Sequence, residues 1–294
     1  MDLRPVADRS VFDAFVQSSL YCHYMKTSMW GEFRKRMDGL SYELLGFYNG
    51  NDLVGTAMVL KGSWLGHSYL YIPKGPCIDY ENTDLRKQAF SLLKNYADCR
   101  RVQFLRIDPN VNRVPHDLQG KVLDGYNHED VTEDLKALDY LHKGYGYAYN
   151  GSWSNRFTLI VDLSPDMDEI VRRFSKQRHT SLNRHVIEHV STRIGSKADV
   201  PTLMRYEQHL SWQDGFPPHK KEFFESIMDL FGEHAVLYVT EIDLQAMADG
   251  IKQELDGKKY RKDPEARAAK EKELKKAQLL ETQYGGRLPI AAGL

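Results

Sequence analysis

Hydrophobic and polar positions in the first half of the chain predict a series of short helices and strands. Apolar residues recur at helical spacing over residues 11–18, 30–37, 83–99 and 129–141, which predicts four helices. Apolar runs predict strands at residues 42–48, 53–60, 68–72 and 102–107, the last of them buried. The first two strands are joined by the turn Asn49-Gly50-Asn51-Asp52, so they form a hairpin.

The second half of the chain starts a similar order again and interrupts its hairpin. Helices are predicted at residues 166–181, 199–210 and 222–231, and strands at residues 157–163, 190–194, 235–242 and 287–294. About 44 mostly charged residues separate the last two strands, where the first half has a four-residue turn. Apolar residues recur every three or four positions in this insert, which predicts two antiparallel helices with one narrow apolar seam. Asp263 and Pro264 suit the start of the second helix, and Gly285 suits its end.

Helix, hairpin, strand, helix and strand follow one another here as they do in α/β acyltransferases of the GNAT class. The repeat therefore predicts an α/β protein of two GNAT-like domains, residues 1–150 and 151–294. An antiparallel coiled-coil arm at about residues 243–284 interrupts the second domain, which we expect to be incomplete. With ~17–20 residues per helix, the arm would be roughly 25–30 Å long.

Composition and charge exclude several classes of protein. The chain of 294 residues is 41% hydrophobic and 28% charged, which is typical of a soluble globular protein. Its net charge is −1, so contacts with an anionic partner must come from local basic patches. No apolar run predicts a membrane span and no signal peptide is evident, so we expect a cytoplasmic protein. The three cysteines (Cys22, Cys77 and Cys99) fit no zinc pattern and the 11 histidines are scattered, so no metal or other cofactor is predicted.

Several short motifs, in order over nearly the whole chain, resemble those of one enzyme family. The most specific is Tyr71-Ile72-Pro73-Lys74-Gly75-Pro76. The others are Met29-Trp30-Gly31, Leu105-Arg106-Ile107-Asp108-Pro109, Phe174-Ser175-Lys176-Gln177-Arg178, Asp214-Gly215-Phe216, Glu222-Phe223-Phe224 and Pro289-Ile290-Ala291-Ala292-Gly293. Together with the helical arm, they resemble the Fem family of tRNA-dependent aminoacyltransferases, which build the interpeptide bridge of peptidoglycan.

This resemblance implies two GNAT-like domains, and transfer of an amino acid from aminoacyl-tRNA to the stem-peptide amine of a peptidoglycan precursor. Family members with an arm typically act on the lipid-linked precursor, so that acceptor is expected here. The protein would then meet its substrate at the inner face of the membrane, as a cytoplasmic or peripheral protein without a transmembrane segment. Association with itself or with related transferases is a further expectation.

The resemblance also implies residues that bind the acceptor. Arg34 lies four residues after Trp30, where family members carry a basic residue for the phosphates of the precursor. A second phosphate-binding arginine of the family corresponds to His219, which is followed by Lys220 and Lys221. A lysine supplies the charge of arginine but not its bidentate fork. Each of these residues also fits an ordinary solvated surface position.

Asp108 and Lys74 are candidates on chemical grounds as well. Asp108 follows a predicted strand at the carboxyl edge, where α/β sheets usually place ligands. It is a candidate for accepting or orienting the proton of the attacking amine, and the alternative is a turn aspartate before proline. Lys74 lies between helix-breaking residues in a rigid loop and faces either a substrate phosphate or solvent.

Two basic clusters are candidates for the tRNA donor, with solvated helix faces as the alternative. They consist of Arg172, Arg173, Lys176 and Arg178, and of Lys258, Lys259, Arg261 and Lys262 at the tip of the arm. A GNAT enzyme that uses acyl-CoA would carry a glycine-rich loop before a helix to bind the pyrophosphate. The sequence has no clear loop of that type, which favours a tRNA donor.

Two other functions stay open at this point. One is an acyl-CoA-dependent N-acyltransferase of a small substrate, and the other is a non-catalytic binding module that uses its arm for docking. The family also carries a lysine late in the second domain that is thought to stabilise the reacting ester, and no segment of this chain corresponds to it. A form that ends at Leu294 is therefore expected to be truncated and inactive.

Overall fold

The computed structural model describes residues 1–144, 161–187 and 189–294. The chain divides into two compact units, residues 1–158 and 159–294. Each unit combines helices with a β-sheet, so the predicted α/β class is observed. None of the helices within the described ranges is long and apolar enough to cross a membrane.

The first unit is built on a sheet of six strands with helices on both faces. Its strands are β1 (Asp2–Pro5), β2 (Ser41–Asn49), β3 (Asp52–Trp64), β4 (His67–Ile72), β5 (Cys77–Ile78) and β6 (Phe104–Ile107). Its helices are α1 (Arg9–Ser18), α2 (Ser28–Asp38), α3 (Thr83–Cys99) and α4 (Glu129–Ala137). The strand order is β1-β2-β3-β4-β6, and β5 also pairs with β3.

Each face of this sheet carries its own hydrophobic core, because neighbouring residues of a strand point to opposite sides. Leu45 and Phe47 pack towards α3, whereas Leu44 packs towards α1. The buried core on the α3 face includes Leu45, Phe47, Ala57, Val59, Leu70, Ile72, Phe90 and Leu93. The core on the α1 face includes Val6, Phe12, Val16, Leu44, Met58 and Leu60. Burial on both faces explains why β2 and β3 are continuous apolar runs rather than alternating ones.

The edge of β3 brings two chain segments to one place. β4 pairs with its outer end, from Leu60 to Trp64, and β5 pairs with Gly55 and Thr56. The loop Pro73–Pro76 leaves the sheet between these two pairings. β4 and β6 run parallel, with Ile72 opposite Ile107. Asp108 and the loop therefore emerge together at the carboxyl edge of the sheet.

The second unit has a three-stranded antiparallel sheet, covered by helices and extended by a helical pair. Its helices are α5 (Met167–Arg172), α6 (Lys176–Ile187), α7 (Val200–Asp214), α8 (Lys221–Phe231), α9 (Leu244–Leu255), α10 (Lys258–Lys262) and α11 (Pro264–Tyr284). Its strands are β7 (Val190–Ile194), β8 (Tyr238–Asp243) and β9 (Arg287–Gly293), in the order β7-β8-β9. A small core joins α7 and α8 to the sheet, and it includes Val200, Leu203, Phe224, Leu237 and Val239.

The insert between β8 and β9 forms two packed helices with a short helix between them. Ile251 and Leu255 of α9 pack with Ala277 of α11, and Leu274 borders this cluster. Asp263 caps α11 as predicted, since its carboxylate accepts from the Ala266 N–H at 3.0 Å. Gly285 ends the helix in the left-handed conformation.

Four details of the predicted elements are corrected. The predicted helix 166–181 is two helices, α5 and α6, separated at residues 173–175. The strand predicted at 102–107 begins at Phe104 and is not buried, since Phe104 is exposed and the rest is half-buried. Of the strand predicted at 157–163, residues 157–160 lie outside the described residues and 161–163 have no regular structure. The helix predicted at 129–141 ends at Ala137.

Candidate active site

The loop Pro73–Pro76 is held in place by hydrogen bonds of its backbone, at Lys74 and Gly75 and at the Pro76 carbonyl. The Lys74 N–H donates to Asp108 Oδ1 at 2.8 Å, and the Lys74 carbonyl accepts from the Asn110 N–H at 3.0 Å. The Gly75 N–H donates to the Ile72 carbonyl at 3.1 Å. Two of these bonds join the loop to the segment after β6, so the two predicted residues Lys74 and Asp108 are brought together.

The loop contains an unusual backbone conformation at its centre. Lys74 has a φ of +60°, a region that costs a residue with a side chain roughly 1–2 kcal/mol. Gly75 follows with a φ of +70°, and a Cβ there would lie 2.8 Å from Pro109 Cα and 2.9 Å from Tyr80 Oη. Such conformations persist only where the surroundings impose them, and they cluster at functional sites. The surrounding bonds thus hold Lys74 in a preorganised position.

A buried lysine, Lys26, supports the end of this loop. Its side chain is 2% exposed, and Nζ donates to the Pro76 carbonyl at 3.3 Å. The Tyr80 hydroxyl donates to the same carbonyl at 3.0 Å. Burial lowers the pKa of Lys26 to about 8, against the opposing influence of Asp108 and the nearby thiols of Cys77 and Cys22.

Asp108 also contacts the hydroxyl of Tyr71, the first residue of the predicted motif. Burial and then the charge of Asp108 raise the pKa of Tyr71 far above its usual value, so the hydroxyl stays protonated and can donate to the carboxylate. The guanidinium of Arg106 lies over the Tyr71 ring, 4.9 Å from its centroid. Arg34 is close enough to act on Tyr71 electrostatically. Two predicted site residues, Arg34 and Asp108, therefore lie near one tyrosine.

Arg34 occupies a half-buried position on α2. Its Nε lies 2.6 Å from Asp38 Oδ2, but the N–H is not aimed at that oxygen, so the contact is an ion pair rather than a hydrogen bond. Its guanidinium lies 5.8 Å from the centre of the Trp30 ring. Both partners lie on α2 itself, and Asp38 partly neutralises the charge of Arg34.

His23 completes the group as a neutral residue. Burial lowers its pKa to about 4, and the positive charges of Lys74 and Lys26 act in the same direction. Its Nδ1 accepts from the Met25 N–H at 3.1 Å, which fixes the ring. The neutral ring adds no charge to the lysines at this edge.

The arrangement has a defined chemical capacity. Lys26, Lys74, Arg34 and Arg106 provide positive charge at the carboxyl edge of the sheet, where Asp108 lies among them and Asp38 pairs with Arg34. Such a group can bind a phosphate and present a carboxylate to a neighbouring amine. We name the four basic residues and Asp108, with Tyr71 and His23, the edge cluster.

Sequence reasoning missed Lys26, His23 and Arg106. Lysine is almost never fully buried, so a single lysine between two predicted helices gave no signal of this position. The carbonyl that Lys26 binds lies 50 residues away in the chain. Arg106 was part of a motif, and its place over Tyr71 follows only from the parallel pairing of β4 with β6.

The predicted acceptor residues of the second unit lie at the start of α8. His219 Nδ1 lies 2.5 Å from Glu207 Oε1, and its ring stacks on Phe223 at 3.9 Å between centroids. Lys221 forms an ion pair with Glu225 at 2.9 Å, while Lys220 is exposed at the helix cap. A cavity of about 250 Å³ beside them is lined by Leu203, Tyr206, Glu207, Leu210, Phe224 and residues 292–294. His219 thus lies next to a groove of this unit, bound to one of its lining residues.

The residues predicted to bind tRNA are all exposed on helices or helix ends. Arg172 and Arg173 both contact the carboxylate of Glu169, at 2.6 and 3.0 Å. Lys176 and Arg178 lie on α6, and the four basic residues at the arm tip lie on α10. The first group is thus partly neutralised, whereas α10 carries four basic residues and no acidic one.

Metal binding has no visible basis in the part of the chain that the structure describes. No group of three or more His, Cys, Asp or Glu side chains converges within these residues. Cys22, Cys77 and Cys99 are all free thiols, and Cys77 alone of the three is buried.

Comparison with known proteins identifies the family. A model of the FemAB family matches residues 8–294. Aminoacyltransferase FemA of Staphylococcus aureus (strain MRSA252) is 22% identical over 308 aligned residues, which cover 96% of this chain and 73% of that protein. FemA of strain NCTC 8325 / PS 47 matches with the same identity and coverage.

The fold is also that of a solved structure. The crystal structure of FemX matches with a TM-score of 0.77 at 19% sequence identity, over 99% of this chain and 76% of FemX. At that identity the match establishes the mixed α/β fold alone. Because the family model spans nearly the whole chain, this protein belongs to the FemAB family.

Proposed function

We propose that this protein transfers an amino acid from aminoacyl-tRNA to the stem-peptide amine of a peptidoglycan precursor, and so builds the interpeptide bridge of the cell wall. The match of the FemAB family model to residues 8–294 carries this proposal. The relatives from S. aureus are themselves named aminoacyltransferases. The edge cluster supports it, because a precursor that carries a pyrophosphate needs several cations and an amine needs a proton acceptor.

Phosphates of the acceptor bind at the edge cluster in this proposal. Lys74 and Arg34 contact the phosphate oxygens, and Lys26 contributes charge from behind the loop. A charged hydrogen bond to phosphate is stronger than a neutral one, and the half-buried position of these residues limits screening by salt. His219, Lys220 and Lys221 form a second basic position in the other unit. The acceptor is the lipid-linked precursor, for which a helical arm is typical in the family.

The reaction needs positioning more than covalent help from the protein. The amine nitrogen of the acceptor attacks the ester carbonyl carbon of the donor, and the bond from that carbon to the terminal ribose oxygen breaks. The amine loses one proton, which Asp108 accepts. The ribose oxygen takes up one proton as it leaves, so an amide and a free tRNA hydroxyl result. Asp108 is suited to this role because its other contacts already fix its orientation.

The donor tRNA binds through exposed basic residues. These are Arg172, Arg173, Lys176 and Arg178 near the start of the second unit, and Lys258, Lys259, Arg261 and Lys262 at the tip of the arm.

We further propose that both units, meeting near residue 150, are GNAT-like domains and that α9 and α11 form a coiled-coil arm. A peripheral position at the inner membrane surface, and association with related transferases, would follow from a lipid-linked acceptor.

The direct test is a transfer assay with full-length protein. Lipid-linked precursor, UDP-linked precursor or no acceptor is mixed with a pool of labelled aminoacyl-tRNAs, with and without ribonuclease. We expect ribonuclease-sensitive label on the lipid-linked precursor. Transfer of label from acyl-CoA instead of tRNA would contradict the proposal that tRNA is the donor. Label on the UDP-linked precursor alone would contradict the proposal that the lipid-linked precursor is the acceptor.

A further inference from the structure

The hairpin between β3 and β4 ends in two large apolar side chains that lie in solvent. Trp64 is 68% exposed and Leu65 is 77% exposed. The inner half of β3, from Gly55 to Leu60, is buried, whereas its outer residues from Lys61 onward are largely exposed. The outer pairs, Gly62 with Tyr69 and Trp64 with His67, therefore extend the hairpin beyond the core of the first unit. We name residues 61–69 the hairpin tip.

The turn at this tip departs from ordinary turn chemistry. Leu65 has a φ of +49° and Gly66 a φ of +82°, so both central residues are left-handed, as in a type I′ turn. Asn, Asp or Gly is favoured at the first of these positions, and a leucine there costs roughly 1–2 kcal/mol. Leu65 gains little from its own chain in return, because most of its side chain contacts solvent. A residue that is unfavourable for its turn and makes few contacts within its own chain indicates a functional position.

Two exposed basic residues lie at or beside the tip. Residues 61–69 contain the basic residue Lys61 and no Asp or Glu. The corner between α3 and β6 lies beside the hairpin, since the Gln103 N–H donates to the Ser68 carbonyl at 2.8 Å. Exposed Arg101 is part of this corner. The apolar tip thus has Lys61 and Arg101 at its border, with Asp98 in the same corner as Arg101.

An aromatic pair continues the apolar surface behind the tip. Tyr69 and Phe104 stack with their ring planes 6° apart and centroids 5.3 Å apart. Phe104 is 46% exposed, although it lies in a strand. Gly62 faces Tyr69 closely enough that a Cβ would lie 2.5 Å from its ring. The apolar and aromatic surface therefore runs from Leu65 to Phe104 on a narrow projection.

We propose that the hairpin tip docks the first unit onto a membrane that contains anionic lipids, with Trp64 and Leu65 inserted among the headgroups. Tryptophan is enriched at membrane interfaces because its ring is apolar and its N–H is polar. Lysine and arginine next to inserted apolar side chains add attraction to anionic lipids. A stable protein partner needs roughly 800 Å² on each side, and a two-residue convex tip offers much less. The inference deepens the lipid-linked acceptor of the proposed function, but its test needs neither tRNA nor precursor.

The test is flotation of the full chain with vesicles of phosphatidylcholine alone or mixed with phosphatidylglycerol. We expect binding to the anionic vesicles that weakens as salt rises from 0.1 to 0.5 M, in line with screening of exposed charges. The double variant Trp64→Ser/Leu65→Ser should bind at least ~10-fold more weakly, because each inserted side chain contributes of the order of one such factor. Trp212→Ser is the matched control, since Trp212 is 84% exposed in the second unit and should be dispensable.

A second variant separates a membrane role from a structural one. In Leu65→Asn the turn receives a residue that it favours, so the melting temperature should stay the same or rise. Vesicle binding should nevertheless fall. A purely structural role for Leu65 predicts the opposite, a less stable protein with unchanged binding.

Three results would overturn the proposal. They are failure of the wild-type chain to float with anionic vesicles, equal binding by wild type and the Trp64/Leu65 double variant, and equal loss of binding in Trp212→Ser. None of these results would contradict the proposed tRNA-dependent transfer to a precursor. Conversely, loss of the proposed transfer activity would leave the vesicle result unchanged, so the two proposals fail separately.

Discussion

The burial of Lys26 is the feature of the site that is hardest to predict from the sequence. It is almost fully buried, yet its side chain carries a charge at neutral pH, because burial lowers its pKa only to about 8. The Pro76 carbonyl that it binds also accepts from Tyr80. Loss of the lysine would therefore leave that carbonyl satisfied, while the energetic penalty of a buried charge would disappear.

We predict that Lys26→Met stabilises the protein and weakens acceptor binding. At pH 7 the gain should be about 1–3 kcal/mol, since each unit of pKa shift corresponds to about 1.4 kcal/mol. Wild-type Lys26 loses its proton near pH 8 when folded and near 10.5 when unfolded, so the unfolded chain holds more protons between these values. The wild type therefore becomes relatively more stable as pH rises through this window, and the difference between the two proteins narrows.

Urea unfolding at pH 7 and pH 9.5, with titration of the precursor at pH 7, measures both effects. Lys35→Met is the matched control, because Lys35 lies exposed on α2 and should change neither stability nor its pH dependence. A destabilised Lys26→Met protein that binds precursor normally would show that Lys26 serves packing alone.

Asp108 is predicted to act in the chemical step rather than only in the loop. In Asp108→Asn the amide oxygen can still accept from the Lys74 N–H, so the loop and the stability should be kept. The proton acceptor is lost, and kcat should fall about 10²- to 10⁴-fold with little change in KM for the precursor. Steady-state transfer kinetics and a melting curve measure these quantities.

Asp108→Ala serves as the comparison, because it also removes the bond to the loop. It should lose stability as well as activity, by about 1–2 kcal/mol for the lost charged hydrogen bond. If Asp108→Asn transferred amino acids at the wild-type rate, the carboxylate would be a loop anchor and not a base.

At the scale of elements, the loop Pro73–Pro76 was predicted as a break in regular structure, and it is one. Its role depends on φ values and contacts that the two prolines alone do not specify. The helix predicted at 166–181 shows the opposite case, since its periodicity continues across residues 173–175 where the chain leaves the helix. A short interruption does not disturb an apolar pattern enough to be detected.

We predict that Gly75→Ala is more destabilising than Gly39→Ala. Both glycines have φ near +70°, so each substitution carries the same backbone penalty of roughly 1–2 kcal/mol. A Cβ at Gly39 has nothing within 4 Å, whereas at Gly75 it meets Pro109 and Tyr80 at 2.8 and 2.9 Å. Gly75→Ala should therefore lose a further ~1–3 kcal/mol through overpacking.

Chemical denaturation of the two variants beside wild type gives the comparison, and precursor binding gives the functional consequence. Gly75→Ala should also bind precursor more weakly, because the neighbouring Lys74 is displaced. Equal stability losses in the two variants would mean that the loop gives way easily and does not hold Lys74 in place.

At the scale of the whole molecule, the charges of the arm tip are predicted to set tRNA affinity. Lys258→Glu/Lys259→Glu reverses two charges on α10, near its N-terminal end, where acidic residues are tolerated. We expect the affinity for tRNA at 0.1 M salt to fall at least ~10-fold, and the dependence of log affinity on log salt to become shallower by about 2.

Lys275→Glu/Lys276→Glu makes the same change of charge on the exposed middle of α11 and is the matched control. Filter binding of tRNA to both double variants over a range of salt concentrations measures the difference. Equal losses of tRNA affinity in the two variants would show a general effect of charge. An unchanged affinity in the tip variant would show that the tip does not bind tRNA.

Local patterns of residues were enough to predict the α/β class, most element positions, the helical insert and the family. Periodicity, turn residues and helix caps involve only a few neighbouring residues, so they can be recognised in the sequence without knowledge of the fold. Which polar groups contact one another depends instead on the folded chain. Lys74 and Asp108 lie 34 residues apart, Lys26 and Pro76 lie 50 apart, and their contacts depend on strands that pair across the chain. The burial and charge of a side chain are sums over such distant neighbours, so the edge cluster and the exposed hairpin tip became visible only in the folded protein.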